Sequence, residues 1–127
     1  MGGIRMTQKT TLRHNTITCD GPRTPPGSGC SAGLTGYGGF APVQDNLIEG
    51  NLFIGGTSSF CAFGGSSDGK QFSDGARDIR FIDNMFERGP TGKCGNLGAI
   101  SGFDASAPGN VWKGNTWDDG TPLAPRD

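Results

Sequence analysis

One small pattern recurs four times along this chain, each time around an asparagine. The copies read Leu12-Arg13-His14-Asn15-Thr16-Ile17, Ile48-Glu49-Gly50-Asn51-Leu52-Phe53, Phe81-Ile82-Asp83-Asn84-Met85-Phe86 and Trp112-Lys113-Gly114-Asn115-Thr116-Trp117. Each has a large apolar residue three before the Asn and another two after it. The steps between Asn15, Asn51, Asn84 and Asn115 are 36, 33 and 31 residues. A repeat of that length means a stack of similar turns, each burying its apolar face only against its neighbours. Gly supplies 24 of the 127 residues and Pro another 8, which interrupts any long helix. The repeating unit is therefore a coil of short strands.

Aligned on the asparagines, the sequence gives two apolar columns, Leu12/Ile48/Phe81/Trp112 and Ile17/Phe53/Phe86/Trp117. Strand residues alternate faces, yet these columns lie five positions apart. A bend at the Asn resets the phase and lets both columns point inward. An Asn buried at such a bend is costly unless its amide is hydrogen-bonded. Stacked asparagines meet that need by bonding to one another and to turn backbone. The polar column of Arg13, Glu49 and Lys113 is expected in solvent. A second apolar set follows each pattern: Leu34, Tyr37 and Phe40; Phe60 and Phe63; Leu97, Ile100 and Phe103, with Phe72 grouped beside Phe40 and Phe103. The Pro/Gly-rich runs 19–30 and 64–70 read as local loops.

Cys61 and Cys94 each lie ten residues after a ladder Asn. Equal offsets put them on adjacent turns, roughly 5 Å apart, within disulfide reach. Cys19 and Cys30 bracket the first loop and form the second expected pair. The competing reading is a ladder of buried free thiols at Cys30, Cys61 and Cys94.

Length allows one domain at most, and the apolar share of 32% suits a coil better than a compact globule. With net charge −1 and no basic run, nothing favours nucleic acid. No apolar stretch reaches membrane-spanning length. The first residues lack the apolar core of a signal peptide, but four cysteines in a Gly/Ser/Thr-rich chain point to an oxidising compartment. A secreted, extracellular protein is expected, with its export signal elsewhere.

The turns Arg-His-Asn-Thr-Ile, Glu-Gly-Asn-Leu-Phe, Asp-Asn-Met-Phe and Gly-Asn-Thr-Trp resemble those of right-handed parallel β-helix proteins of the pectate-lyase-like superfamily. The resemblance runs from about Thr11 to about Leu123, and the segment 107–120 looks like the last turns of secreted bacterial members. It implies an all-β, right-handed, single-stranded parallel β-helix of about four turns. Residues 1–127 would form one domain with a strand-poor N-terminus and no helix of consequence. Members of the superfamily usually carry more turns, so the chain reads as the C-terminal part of a longer helix. The superfamily holds lyases, glycosidases, esterases, tailspikes and other roles, so fold alone does not settle function.

Two functions follow. One is a carbohydrate-active module, binding or degrading polysaccharide, whose parent enzyme would be a polysaccharide lyase or glycoside hydrolase. The other is a non-catalytic structural scaffold. A lyase needs a base and a cation against the uronate carboxylate. The ligand-binding candidates are Arg13, Glu49, Arg80, Lys113 and Tyr37. Calcium is the one ion the acidic candidates Asp68, Asp74 and Asp78 could hold; no other cofactor is expected. Asp68 and Asp74 lie in Gly/Ser loops, where carboxylates commonly initiate turns. The catalytic signatures of the pectate lyases and of the polygalacturonases are absent from the sequence. Asp118 and Asp119 precede Gly120-Thr121-Pro122 and read as a terminal turn. His14 is the single histidine and has no zinc partner. Trp112 and Trp117 fall in the apolar columns, which favours packing over sugar stacking. Bare coil ends are sheet edges, so end-to-end self-association is a further expectation.

Overall fold

The computed structural model describes residues 2–19, 31–36, 38–56, 58–67 and 69–126. Among these residues twelve short strands follow one another: β1 (Gly2–Arg5), β2 (Thr11–Arg13), β3 (Thr16–Ile17), β4 (Ala32–Thr35), β5 (Gln44–Glu49), β6 (Leu52–Phe53), β7 (Phe60–Phe63), β8 (Arg77–Ile82), β9 (Met85–Phe86), β10 (Gly98–Ser101), β11 (Val111–Lys113) and β12 (Thr116–Trp117). A 3-10 turn, Ser73–Gly75, precedes β8. The strands form three parallel sheets, ordered β1-β4-β7-β10, β2-β5-β8-β11 and β3-β6-β9-β12. Each circuit of the chain adds one strand to every sheet. The result is an all-β parallel β-helix of four rungs, enclosing about three complete turns. The N-terminus departs from expectation. It is not strand-poor: β1 pairs with β4, Ile4 opposite Leu34, and completes the first rung.

The asparagine spacing is the register of the second and third sheets. Leu12 lies opposite Ile48, Ile48 opposite Phe81, and Phe81 opposite Trp112. Ile17, Phe53, Phe86 and Trp117 stack in the same way. Ile48, Phe53, Phe81 and Phe86 are fully buried, while Leu12, Trp112 and Trp117, on the end rungs, are half-buried. The Phe53 and Phe86 rings stack with centroids 4.5 Å apart. Trp112 continues the aromatic column over Phe81 at 5.4 Å and over Phe103 at 5.3 Å. The tryptophans thus extend the core.

The phase reset sits one residue before each Asn. His14, Gly50, Asp83 and Gly114 have φ of 54°, 64°, 55° and 70°. This is the left-handed region, open to Gly and, among the rest, best tolerated by Asn, Asp and His. A second such column lies five residues earlier. Lys9, Asp45, Asp78 and Gly109 have φ of 56°, 57°, 53° and 73°. Each strand of the second sheet is therefore bounded by two left-handed bends, and the rung turns a corner at each.

The bend asparagines form a continuous hydrogen-bonded ladder. The backbone N–H of Asn15, Asn51 and Asn84 each donates to the side-chain Oδ1 of the next Asn, at 2.9, 3.0 and 3.0 Å. Their Nδ2 groups donate to the same oxygens at 3.2, 3.1 and 2.8 Å. The other Nδ2 proton reaches back to the preceding rung: Asn51 to Leu12 O, Asn84 to Ile48 O and Asn115 to Phe81 O. Asn51, Asn84 and Asn115 are consequently buried without an unsatisfied polar atom. A partial second ladder follows the other bend. Asn46 Oδ1 accepts from Thr10 N and Asn110 Oδ1 from Ile79 N, both at 2.9 Å.

The first sheet follows a different count. Its inward column is Ile4/Leu34/Ala62/Ile100. Ala62 stands where the sequence suggests Phe60 or Phe63. Phe40 and Leu97, expected inward, are 74% and 59% exposed. Phe40 instead packs its ring under the Arg5 guanidinium, 4.7 Å from the centroid. The physical reason is loop length: the loops before these strands vary, so an alignment anchored on the Asn loses register once it has passed through them. Phe103 is buried, as expected.

Cys61 and Cys94 are disulfide-bonded with Cα atoms 6.0 Å apart, joining adjacent rungs. The pair is the one expected, but not by direct stacking. Phe60 pairs with Gly98 and Ala62 with Ile100, which puts Ala99 opposite Cys61. Cys94 reaches it from the turn before β10, at φ 73°. Cys19 is also disulfide-bonded; its expected partner Cys30 lies outside the described residues.

The C-terminal residues cross the last rung. Trp117 N donates to Thr121 O, Leu123 N to Asn115 O and Phe103 N to Arg126 O. Trp112 Nε1 donates to Leu123 O at 2.6 Å, and Leu123 packs on the core. This tail closes the C-terminal end of the coil.

Two stability measurements follow. Asn84→Ala removes four side-chain hydrogen bonds at a buried site, so urea unfolding should show a loss of about 2–4 kcal/mol. Asn15→Ala, at the exposed end of the ladder, should cost under about 1 kcal/mol. Opening the Cys61–Cys94 link frees a 33-residue loop, worth about 3.7 kcal/mol in the loop-entropy account. A Cys61→Ser, Cys94→Ser variant should therefore melt well below the wild type in calorimetry.

Candidate functional site

The outward face of the second sheet is a regular surface, because its four strands are in continuous register. In β5 and β8 the inward residues are Asn46, Ile48, Ile79 and Phe81, so the intervening positions face out. Three outward columns cross the strands. At the bend stand Lys9, Asp45, Asp78 and Gly109; next come Thr11, Leu47, Arg80 and Val111; then Arg13, Glu49, Ile82 and Lys113. Strands about 4.8 Å apart make this a platform roughly 14 Å wide.

Sequence reasoning placed Arg13, Glu49, Arg80 and Lys113 among the ligand-binding candidates, and the fold brings all four onto this platform. They are not equivalent. Arg13 Nε lies 2.9 Å from Glu49 Oε1, so these two neutralise each other. At this exposure the pair contributes little stability, about 0–1 kcal/mol. Arg80 and Lys113 have no carboxylate in ion-pair range among the described residues. Arg80 is opposite Val111 and Ile82 opposite Lys113, so the two cations are diagonal neighbours on adjacent strands. Their alpha carbons are about 8 Å apart by strand geometry. Ile82 and Val111 flank the diagonal between the two cations, Leu47 adjoins Arg80 from β5, and the three give the platform an apolar strip. The remaining ligand candidate, Tyr37, lies outside the described residues.

The two described acidic candidates, Asp78 and Asp74, have different surroundings. Asp78 holds a left-handed bend and pairs with Arg77 Nη1 at 2.5 Å. Its role is to turn the chain. Asp74 lies in the 3-10 turn, on the wall of a separate groove. Asp68 lies outside the described residues. Among the described residues no three His, Cys, Asp or Glu side chains gather into a metal-binding group.

That groove, about 350 Å³ in volume, runs between the loops that precede β8 and β11. Ser66, Ser67, Ser73, Asp74, Asp104 and Ser106 line it. Its polar groups are largely engaged. Ser73 Oγ donates to Ser67 O, Ser66 Oγ donates to Gly102 O, and Asp104 Oδ1 accepts from both the amide and the hydroxyl of Ser106. Sequence reasoning missed Asp104. The signal was the Asp104-Ala105-Ser106 spacing, which places a hydroxyl and an amide within reach of one carboxylate.

Two carboxylates are shifted, both downward. The Ser106 hydroxyl, followed by the Ser106 amide, holds Asp104 below the usual carboxylate range. Asp119 is lowered from 3.8 to about 2, chiefly by the Thr121 hydroxyl, then by the Thr121 amide, with Arg88 adding to the shift. Arg88 Nε lies 3.1 Å from Asp119 Oδ2, and its guanidinium covers the Trp117 ring at 4.4 Å. A carboxylate held below its ordinary pKa is a poor general acid and a weak base. Both groups act as turn anchors. His14 is exposed at its left-handed bend.

The Asp119 shift has a defined sign. The ionised form is favoured by folding, so its contribution is present above about pH 4 and is lost as pH falls through about 2. Carboxyl NMR should find Asp119 titrating near pH 2 in the wild type, and Thr121→Val should raise that midpoint toward 3.8.

No protein-family model, curated protein or solved structure matches the chain.

Proposed function

We propose that this chain is an extracellular β-helix module of the pectate-lyase-like kind that binds an acidic polysaccharide along the outer face of its second sheet. The observation that carries this reading is the diagonal of Arg80 and Lys113, neither of them ion-paired among the described residues, on a platform of regular register. A uronate polymer repeats a carboxylate at intervals, and each needs a cation or hydrogen-bond donor. Arginine offers the fork that matches a carboxylate; lysine offers a mobile point charge. The strip of Leu47, Ile82 and Val111 suits the C–H faces of sugar rings between the carboxylates.

Binding is favoured over catalysis by the acids themselves. Asp104 and Asp119 are held ionised by turn hydrogen bonds, and Asp78 is paired with Arg77 at a bend. Lowered in this way, Asp104 and Asp119 are poor general acids. The disulfide between rungs fits an oxidising, extracellular setting. The second reading, a scaffold without a ligand, draws on the Arg13–Glu49 pair, which cancels charge on the same platform.

Affinity electrophoresis in polygalacturonate and in uncharged dextran separates the two. Retardation by polygalacturonate alone is expected, weakening as salt rises. The Arg80→Ala, Lys113→Ala double variant should lose about tenfold or more in affinity while melting like the wild type. No rise in unsaturated-product absorbance is expected, with or without calcium. Retardation of neither protein would leave the scaffold reading, and equal retardation of both would overturn the assignment of binding to Arg80 and Lys113.

A further inference from the structure

The platform of the second sheet does not carry its charge evenly. Strand by strand along the coil, β2 presents Arg13, β5 presents Asp45 and Glu49, β8 presents Arg80 and β11 presents Lys113. The acid at the β8 bend, Asp78, is taken up by Arg77. The outward face of β5 is therefore two acids on either side of Leu47. It separates the cation of β2 from those of β8 and β11.

The fold asks for the shapes of these two acids and not for their charge. Glu49 Oε1 accepts from Arg13 Nε at 2.9 Å, and the amide oxygen of a glutamine could accept the same bond. At this exposure the ion pair adds little stability. Asp45 is exposed at a left-handed bend with φ of 57°, a conformation that Asn tolerates as well as Asp. Among the described residues no cation lies in ion-pair range of Asp45.

Their place on the platform gives the charge a use. Arg80 is opposite Leu47, so Asp45 and Glu49 each lie one diagonal from Arg80, about 8 Å between alpha carbons. A carboxylate seated between Arg80 and Lys113 is on the far side of Arg80 from β5. The next carboxylate of a polymer laid along the coil toward β2 would come down over the two acids. That is inside the Debye length, about 8 Å at physiological salt, so the repulsion is felt. A neutral sugar meets no such barrier. Its hydroxyls can donate to the carboxylate oxygens, and Leu47 offers its ring an apolar seat.

We propose that Asp45 and Glu49 determine the specificity of the platform: they confine the acidic part of a polysaccharide to β8 and β11 and admit neutral sugar over β5. Glu49 also holds Arg13 out of the site. The ligand class is thus a polymer whose uronates occur in short runs between neutral sugars. A long unbroken polyuronate gains nothing from its added residues, which stay off the surface. This is selection by a repulsive element beside an attractive one. It rests on the polysaccharide reading, since it concerns the same platform.

Calorimetry with tri-galacturonate and nona-galacturonate tests this, on the full chain and on an Asp45→Asn, Glu49→Gln variant. The ratio of variant to wild type for each sugar cancels the extra registers that a longer chain offers. The variant should bind nona-galacturonate about tenfold more tightly than the wild type does, and tri-galacturonate within about threefold. Adding Arg13→Ala to the variant should remove the nona-galacturonate gain, because that gain needs the released arginine. The wild type should prefer partly methyl-esterified polygalacturonate to the fully acidic polymer, and the variant should lose that preference. An equal gain for both sugars would reduce the acids to a net-charge effect, and no gain would show that they do not bound the site. Either result, or a wild-type preference for the fully acidic polymer, overturns the proposal while the polysaccharide reading stands. Failure of wild type and variant alike to bind tri-galacturonate overturns that reading, and the proposal with it.

Discussion

The coil depends on one arrangement: a left-handed bend followed by an asparagine whose amide bonds to the rungs above and below. A sharp corner in a parallel coil leaves backbone donors and acceptors pointing into the interior, where they would cost several kcal/mol if unmet. Here Asn51 and Asn84 each supply one oxygen that takes two donors and one nitrogen that gives two protons. The same contacts fix the vertical register. A slip of one residue would move an Asn out of line and turn Phe53 or Phe81 toward water. Apolar stacking on both sides of the bend therefore depends on the amides, and the amides stay dry because of that stacking.

The function proposed here is a product of the same geometry. Two left-handed bends five residues apart hold each strand of the second sheet straight between corners. The outward residues then fall into columns with fixed spacing, and Arg80 and Lys113 become neighbours although 33 residues separate them along the chain. Flexible loops could not hold that spacing. The groove at the start of β8 and β11 is built differently, from loop residues that mostly satisfy one another. At the first rung the exposed Asn15 amide bonds to Arg13 O within its own turn.

How much of this could be read from the chain alone depends on whether one residue type marks a position. The bend asparagines do, since only a short amide can give and accept at that corner, and so the registers of two sheets were legible. The earlier bend was not. Lys9, Asp45, Asp78 and Gly109 tolerate positive φ for different reasons, and the residues after them, Thr10, Asn46, Ile79 and Asn110, share no pattern. The first sheet was legible only in part: Leu34 and Ile100 were placed inward, but loops of unequal length precede its strands, so Phe40 was misplaced and Ala62 overlooked. Cys61 and Cys94 were paired correctly even though a turn, and not the strand register, brings them together. The platform cations were visible as a column, but which of them are unpaired depends on side-chain contacts that spacing does not encode.

Side-chain amide hydrogen exchange tests the central claim most directly, because it reads each ladder amide separately in the native protein. The Nδ2 protons of Asn51, Asn84 and Asn115 should exchange orders of magnitude more slowly than those of Asn15, which sits exposed at the open end. Equal, rapid exchange at all four would mean that the amides do not hold the rungs and that apolar stacking alone sets the register.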